Sequence, residues 1–244
     1  MLPRTYARLR WLIAPCTLPL ASCVGVQSAL DPAGRAAEKM AGLFWWMMFG
    51  AAVVWLGVMA LTVFAIRARP DVDRCRQAHH LILAGAITPS IVLCGLLLYG
   101  LSILPEAIAP APEGSLRVHV YGEQWWWRVR YEPPGRQPFE LANEVRMPVG
   151  EPVEFLLHSN NVIHSFWIPS LGGKMDMIPG RVNRLALQAT KTGTFRGACA
   201  EYCGASHAKM AFEAIVMSRE EFSRWIEQQS EPAMEPAAMA EAAQ

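Results

Sequence analysis

Two stretches of this chain, Ala41 to Ile66 and Leu81 to Leu104, contain no charged residue. Each exceeds the roughly 20 apolar residues that carry a helix across a ~30 Å hydrocarbon layer. Uncharged runs of that length rarely serve as core helices of a soluble domain. Within lipid the backbone has no water to bond, so each run is confined to a helix. The sequence therefore predicts membrane-spanning helices over 41–66 and 81–104 and a connecting loop over 67–80. Pro89 falls inside the second run and predicts a kink there. Trp45, Trp46 and Trp55 read as membrane packing or interfacial anchors.

The loop holds Arg67, Arg69, Arg74 and Arg76, whereas the outer flanks carry Lys39 on one side and Glu106 and Glu113 on the other. The positive-inside bias makes the loop cytoplasmic and places both ends of the chain outside. The N-terminus gives the same answer. Arg4, Arg8 and Arg10 precede an apolar stretch from Trp11 to Leu20 and then small residues, the order of a secretory signal peptide over 1–22. The junction Leu20-Ala21-Ser22-Cys23 resembles the lipobox of bacterial lipoproteins, which marks Cys23 for lipid attachment; an ordinary signal peptide competes with that reading. Residues 23–40 are then an exported N-terminal segment, and the expected location is a bacterial inner membrane with the long C-terminal portion on the periplasmic face. A hydrophobic fraction of 52% fits membrane contact, and a net charge of +1 leaves no basic surface for nucleic acid.

Beyond a Pro-, Ala- and Glu-containing linker over 105–114 the pattern changes to short apolar segments separated by turn signals such as Pro133-Pro134-Gly135 and Pro148-Val149-Gly150. Strands are expected over 116–121, 125–131, 153–158, 182–188, 193–198 and 210–216. Such spacing predicts an all-β sandwich or barrel over 115–230. Ser218 and Glu221 form a capping-box pattern ahead of a short helix over 219–229. The tail over 231–244 lacks aromatic residues and is expected to be disordered.

The segment from Cys199 to Met210 packs Cys199, Cys203, His207 and Met210 into twelve positions, with His164 upstream. Soft sulfur and imidazole together favour copper or zinc. A Cys199–Cys203 disulfide suits an exported protein but leaves His207 and Met210 without a task. A closed Cys2His2 zinc site fits the ligand count and leaves Met210 over. A copper electron-transfer site uses Cys, His and a weak axial Met, and a second cysteine implies two metals with bridging thiolates.

The pattern Cys-x-Glu-x-Cys-Gly-x-x-His-x-x-Met over 199–210 is similar to the CuA signature of subunit II of haem-copper cytochrome c oxidases. The segments Val162 to Leu171 and Lys174 to Arg181 also resemble that family. The resemblance spans the helical hairpin and the exported domain, and it implies a cupredoxin-like Greek-key barrel. It further implies that Cys199 and Cys203 bridge two coppers, each capped by His164 or His207. Met210 would be the axial ligand of one copper and the Glu201 carbonyl would serve the other, while the Glu201 carboxylate would reach a magnesium ion at subunit I. The run Gly122 to Trp127 resembles the aromatic stretch that accepts electrons from cytochrome c, with Trp125 at the accepting position. Strand alternation would put Trp125 and Trp127 on one face and Trp126 on the other. Asp176 is the candidate acidic residue for docking a basic cytochrome c. The implied partners are subunit I, subunit III, cytochrome c and membrane lipid.

The chain departs from this pattern in two places. No carboxylate lies between His80 and Glu106, where many relatives carry a glutamate at a proton channel, and Asn161 stands where many have aspartate. Cys75 and Cys94 read as free thiols, and His119 and His158 as structural histidines. No Cys-x-x-Cys-His occurs, so a fused cytochrome c domain is not expected. Competing functions are the CuA subunit of a copper-containing nitric oxide reductase and a membrane-tethered copper-assembly protein. A quinol oxidase subunit would lack the two cysteines.

Overall fold

The computed structural model describes residues 25–67, 79–80 and 82–230. The signal peptide expected over 1–22, Cys23, Cys75 with most of the loop, and the tail over 231–244 lie outside the described residues.

Helix α1 spans Arg35–Arg67, a length of about 50 Å. It begins six residues before the uncharged run, because Ala37 and Ala41 occupy one face at helical spacing and are buried. Helix α2 spans Thr88–Ile108 and is entered through a π-helical turn, Leu83–Ile87. The wide turn is the local response to Pro89, whose nitrogen cannot donate to the preceding turn. Hydroxyls add bonds there: Thr88 Oγ1 donates to the Leu83 carbonyl at 3.3 Å, which Thr88 N–H also reaches, and Ser90 Oγ donates to that of Ala86 at 2.7 Å. The helix also runs past the expected end at Leu104, carrying Pro105 within its final turn. Large apolar side chains along both helices stand exposed, Trp46 and Ile66 by three quarters or more. Apolar surface of that extent needs lipid or another apolar chain.

Among the described residues, the remaining unit combines 25–41 with 110–230. Its frame is ten strands: β1 Leu116–Glu123, β2 Trp126–Tyr131, β3 Phe139–Ala142, β4 Glu144–Pro148, β5 Pro152–Ser159, β6 His164–Trp167, β7 Met175–Met177, β8 Asn183–Gln188, β9 Gly193–Cys199 and β10 Ala211–Met217. One sheet has the order β3-β2-β1-β5-β8 and the other β4-β10-β9-β6-β7. Strict alternation in β1 buries Val118 and Val120 between the sheets, opposite Phe166 and Ala214 of the second sheet in the same core. This is the sandwich that the turn spacing predicts. Helix α3, Arg219–Ser230, closes one end by packing Trp225 against Tyr131 and Phe139 at ring distances of 5.2 and 5.4 Å. Its start carries the expected capping box, since Ser218 Oγ accepts from Glu221 N and the Glu221 carboxylate accepts from Ser218 N.

Four strands, β3, β4, β6 and β7, are not among the segments expected from the sequence. Each has five residues or fewer, too short to show alternation. The N-terminal segment also enters this domain. Ala33 is buried, its N–H donates to the Ser170 carbonyl and its carbonyl accepts from Thr190 N, both at 2.7 Å. Gly34 bridges Ala189, and a Cβ on Gly34 would lie 2.4 Å from the Leu171 carbonyl oxygen. Only glycine permits this backbone contact.

Candidate metal centre

Strand pairing brings the upstream histidine to the cysteine loop. β6 begins at His164 and runs antiparallel to β9, with Phe166 opposite Cys199. The chain then leaves β9, turns through Gly204 at φ +120°, and re-enters β10 after a single 3-10 turn, His207–Lys209. The Cys199 N–H donates to the Met210 carbonyl at 2.9 Å, which ties the two ends of the loop together. His164, Cys199, Cys203 and Met210 are all buried, His164 fully.

The donor atoms fall into two halves. Cys199 Sγ lies 3.8 Å from His164 Nδ1 and 3.2 Å from the Glu201 carbonyl oxygen. Cys203 Sγ lies 3.6 Å from His207 Nδ1 and 3.7 Å from Met210 Sδ. The two sulfurs are 3.8 Å apart, nearly twice a disulfide bond, so the thiols are unbonded. Each half thus offers one thiol, one imidazole nitrogen and one weaker donor, with the thiols at the centre. A single zinc would leave the thioether and carbonyl unused, whereas two copper ions sharing the thiols would use every donor. Burial, with the neighbouring Cys199 adding to it, pushes the Cys203 thiol up to about 11. Burial holds the His164 imidazole below its ordinary value and neutral, as a ligand must be. Two buried thiols, each facing an imidazole nitrogen, therefore suit a soft cation that displaces the thiol protons.

A second layer of contacts fixes this arrangement. Asn161 Oδ1 lies 3.3 Å from His164 Nε2, which directs Nδ1 toward Cys199. The Cys203 carbonyl accepts from Gln124 Nε2 at 2.9 Å and from Trp125 Nε1 at 3.1 Å. Trp125, expected to open a strand over 125–131, lies instead in the turn between β1 and β2, one residue before β2 begins at Trp126, so alternation does not reach it. It is 39% exposed, Trp126 is 38% exposed and Trp127 is fully buried, so one indole touches both solvent and the backbone of a thiol ligand. Gln124 carries no sequence signal as a second-layer group, whereas Asn161 stands out in the sequence as the departure from aspartate; expected to alter local hydrogen bonding without touching a ligand, it bonds the His164 ring.

Asp176 and Glu201 meet at Lys174, whose ammonium lies 3.2 Å from Asp176 Oδ1 and 3.5 Å from Glu201 Oε2. All three side chains are more than two fifths exposed, so the acidic surface near the thiols is partly neutralised. Cys94 is an exposed free thiol on α2. His119 and His158 pair with each other at 3.1 Å on the outer face of the first sheet, apart from the thiols.

A family model described as "Cytochrome C oxidase subunit II, periplasmic domain" matches residues 132–218. The cytochrome c oxidase subunit 2 of Alkalihalophilus pseudofirmus is 34% identical over 243 residues, covering 90% of this chain and 68% of the relative. That of Branchiostoma floridae is 34% identical over 157 residues, covering 57% of this chain and 68% of the relative. A crystal structure of the periplasmic domain of subunit II of cytochrome oxidase from Bradyrhizobium japonicum is 34% identical, with a TM-score of 0.45, covering 49% of this chain and 96% of that one. With a two-cysteine, two-histidine centre in which all but His207 are buried, and two apolar helices earlier in the sequence, this chain belongs to the cytochrome c oxidase subunit 2 family.

Proposed function

We propose that the chain takes single electrons from cytochrome c at a dinuclear CuA centre and passes them to the haem of subunit I, for reduction of oxygen to water. The observation that carries this reading is the division of six donors into two sets of three around a 3.8 Å thiol pair. When bound, two bridged coppers share one electron, so each metal–ligand bond changes little on transfer. The chain's own contribution is rigidity and access. His164, Cys199, Cys203, His207, Met210 and the Glu201 carbonyl would hold the metals, and burial of the sulfurs keeps water from them. Trp125 is the accepting side chain, because its indole nitrogen bonds the Cys203 carbonyl while its ring reaches the surface. Asp176 is the docking carboxylate, acting beside Lys174. The Glu201 carboxylate, bonded to Lys174 within this chain, is the group that would turn to magnesium at subunit I.

The chain sits in a bacterial inner membrane with the metal domain on the periplasmic face, alongside subunits I and III. The docked N-terminal segment supports that topology. Ala33 packs into the same domain that follows α2, so the start of α1 and the end of α2 lie on one side of the bilayer, as two spans require. Cys23, three residues before Val26, is the proposed lipid-attachment site, following a signal peptide over 1–22.

The test is copper loading of the full chain in detergent. Two coppers per chain and a purple mixed-valence spectrum are expected; one zinc or one blue copper per chain would overturn the reading. The full chain is required because residues 26–41 form part of the domain.

A further inference from the structure

His164 rests against a strand position that has no side chain. Gly122 lies in β1, paired with Trp127 of β2 on one side and Ser159 of β5 on the other. Its φ lies outside the left-handed range, in an ordinary strand, where glycine brings no conformational advantage and weakens the strand. The reason for a glycine here is therefore steric. A Cβ built on Gly122 would lie 2.8 Å from His164 Cδ2, 2.9 Å from Cγ and 3.1 Å from Cβ. Ordinary van der Waals contact begins near 3.4 Å, so the whole root of the imidazole would have to move by roughly half an ångström.

The ring has little room to do so. Its Nε2 is tied to Asn161 at 3.3 Å, its Nδ1 faces Cys199 at 3.8 Å, and the Trp127 indole stands 6.3 Å away between ring centres at an angle of 58°. His164 is fully buried, so its ring cannot swing out to solvent without opening the sandwich. Ser159 Oγ, beside Gly122 in the sheet, donates to the Val162 carbonyl and holds the segment leading to His164.

We propose that Gly122 is a positioning residue for the metal centre: its bare backbone is the floor that sets the depth and tilt of the His164 imidazole. This rests on the assignment of His164 as a copper ligand, and it predicts that a single methyl group at position 122 retunes one half of the centre. The three atoms nearest that methyl group all belong to His164. Gly172 provides the control, because a Cβ there would overlap Leu187 Cδ2 at 2.7 Å, a similar intrusion that involves no ligand.

The test compares the full chain with Gly122→Ala and Gly172→Ala variants in two ways. After copper loading, G122A is expected to show shifted visible bands, an altered copper hyperfine pattern and a changed reduction potential, while G172A keeps the parent spectrum. In the copper-free chain a thermal double-mutant cycle reads the contact directly: G122A should lower the midpoint in the parent, and much of that loss should vanish in the His164→Ala background. A G122A chain that fails to take up copper supports the proposal only if the copper-free cycle shows that coupling. An unchanged spectrum and potential in G122A, or an equal loss in both backgrounds, overturns it. If the parent chain itself gives no two-copper spectrum, the functional reading fails, whereas the copper-free cycle still decides whether Gly122 sets His164.

Discussion

Replacing Asn161 with alanine removes the acceptor that His164 Nε2–H uses. The amide oxygen also accepts from Val162 N at 2.7 Å, but that N–H lies at an exposed turn where water can take over. The imidazole has no such relief because it is fully buried. An orphaned buried donor costs about 1–3 kcal/mol, and the 3.3 Å length of this bond places the loss toward the lower end. The free ring can also adopt the tautomer that places its proton on Nδ1, the atom facing Cys199. Loss of a group that orients a metal-ligating histidine weakens metal affinity by about 10- to 100-fold. A copper competition titration of the full chain in detergent should therefore show N161A binding about tenfold more weakly, near 1.4 kcal/mol. Asn161→Asp keeps the acceptor and adds charge, so it should restore affinity and lower the reduction potential by making the imidazole a better donor. An N161A affinity within about twofold of the parent would show that Asn161 does not orient the ring, and the tautomer argument would fall with it.

Tyr131 predicts an effect away from the metal. Its buried hydroxyl donates to the Arg146 carbonyl and accepts from Arg146 N, both at 2.7 Å, so Y131F should cost roughly 2–4 kcal/mol in denaturant unfolding, and a loss under about 1 kcal/mol would contradict the assignment. Burial holds the phenol well above its ordinary value of 10.0, so its neutral form is favoured in the folded chain; stability is full below that pH and falls above it, a slope that Y131F should erase. Glu154 works at the acid end. Burial alone would raise its carboxyl, but Arg184 at 2.7 Å and Arg117 at 3.2 Å outweigh burial and hold it below 4.5, so it contributes stability above that value that is lost as pH falls through the folded pKa; E154Q should flatten thermal stability across this acid range. Gly34→Ala places a methyl group against the Leu171 backbone, which cannot yield, and limited proteolysis should then cut within 26–34 while the parent resists.

Length and charge made the membrane spans legible, because no other element needs some 20 uncharged residues in a row. The thiol loop was legible because its ligands are close in sequence and chemically specific. His164 was legible as an available imidazole upstream of the loop, but its placement was not: the register that sets Phe166 beside Cys199 is a tertiary fact. Trp125 showed how one residue of strand boundary matters, since alternation would have grouped it with the buried Trp127, yet it lies in the turn and reaches solvent. The docked segment around Ala33 was invisible for a different reason. Its contacts are made by small side chains and backbone groups, which leave almost no hydrophobic pattern to read.

That segment alters what is inserted into what. The hydrogen bond between Ala33 and Ser170 closes a loop of nearly 140 residues that contains both membrane spans, and the bond between Thr190 and Ala33 closes a longer one. In chain order residues 26–41 of the domain come before the hairpin and its ten described strands after it, so the hairpin is an insertion within that domain. The domain cannot be completed until both helices and the strands beyond them have been synthesised. Residues 26–33 must wait through that interval for Ser170, Thr190 and Arg196, so the first part of the domain to be made is among the last to find its partners.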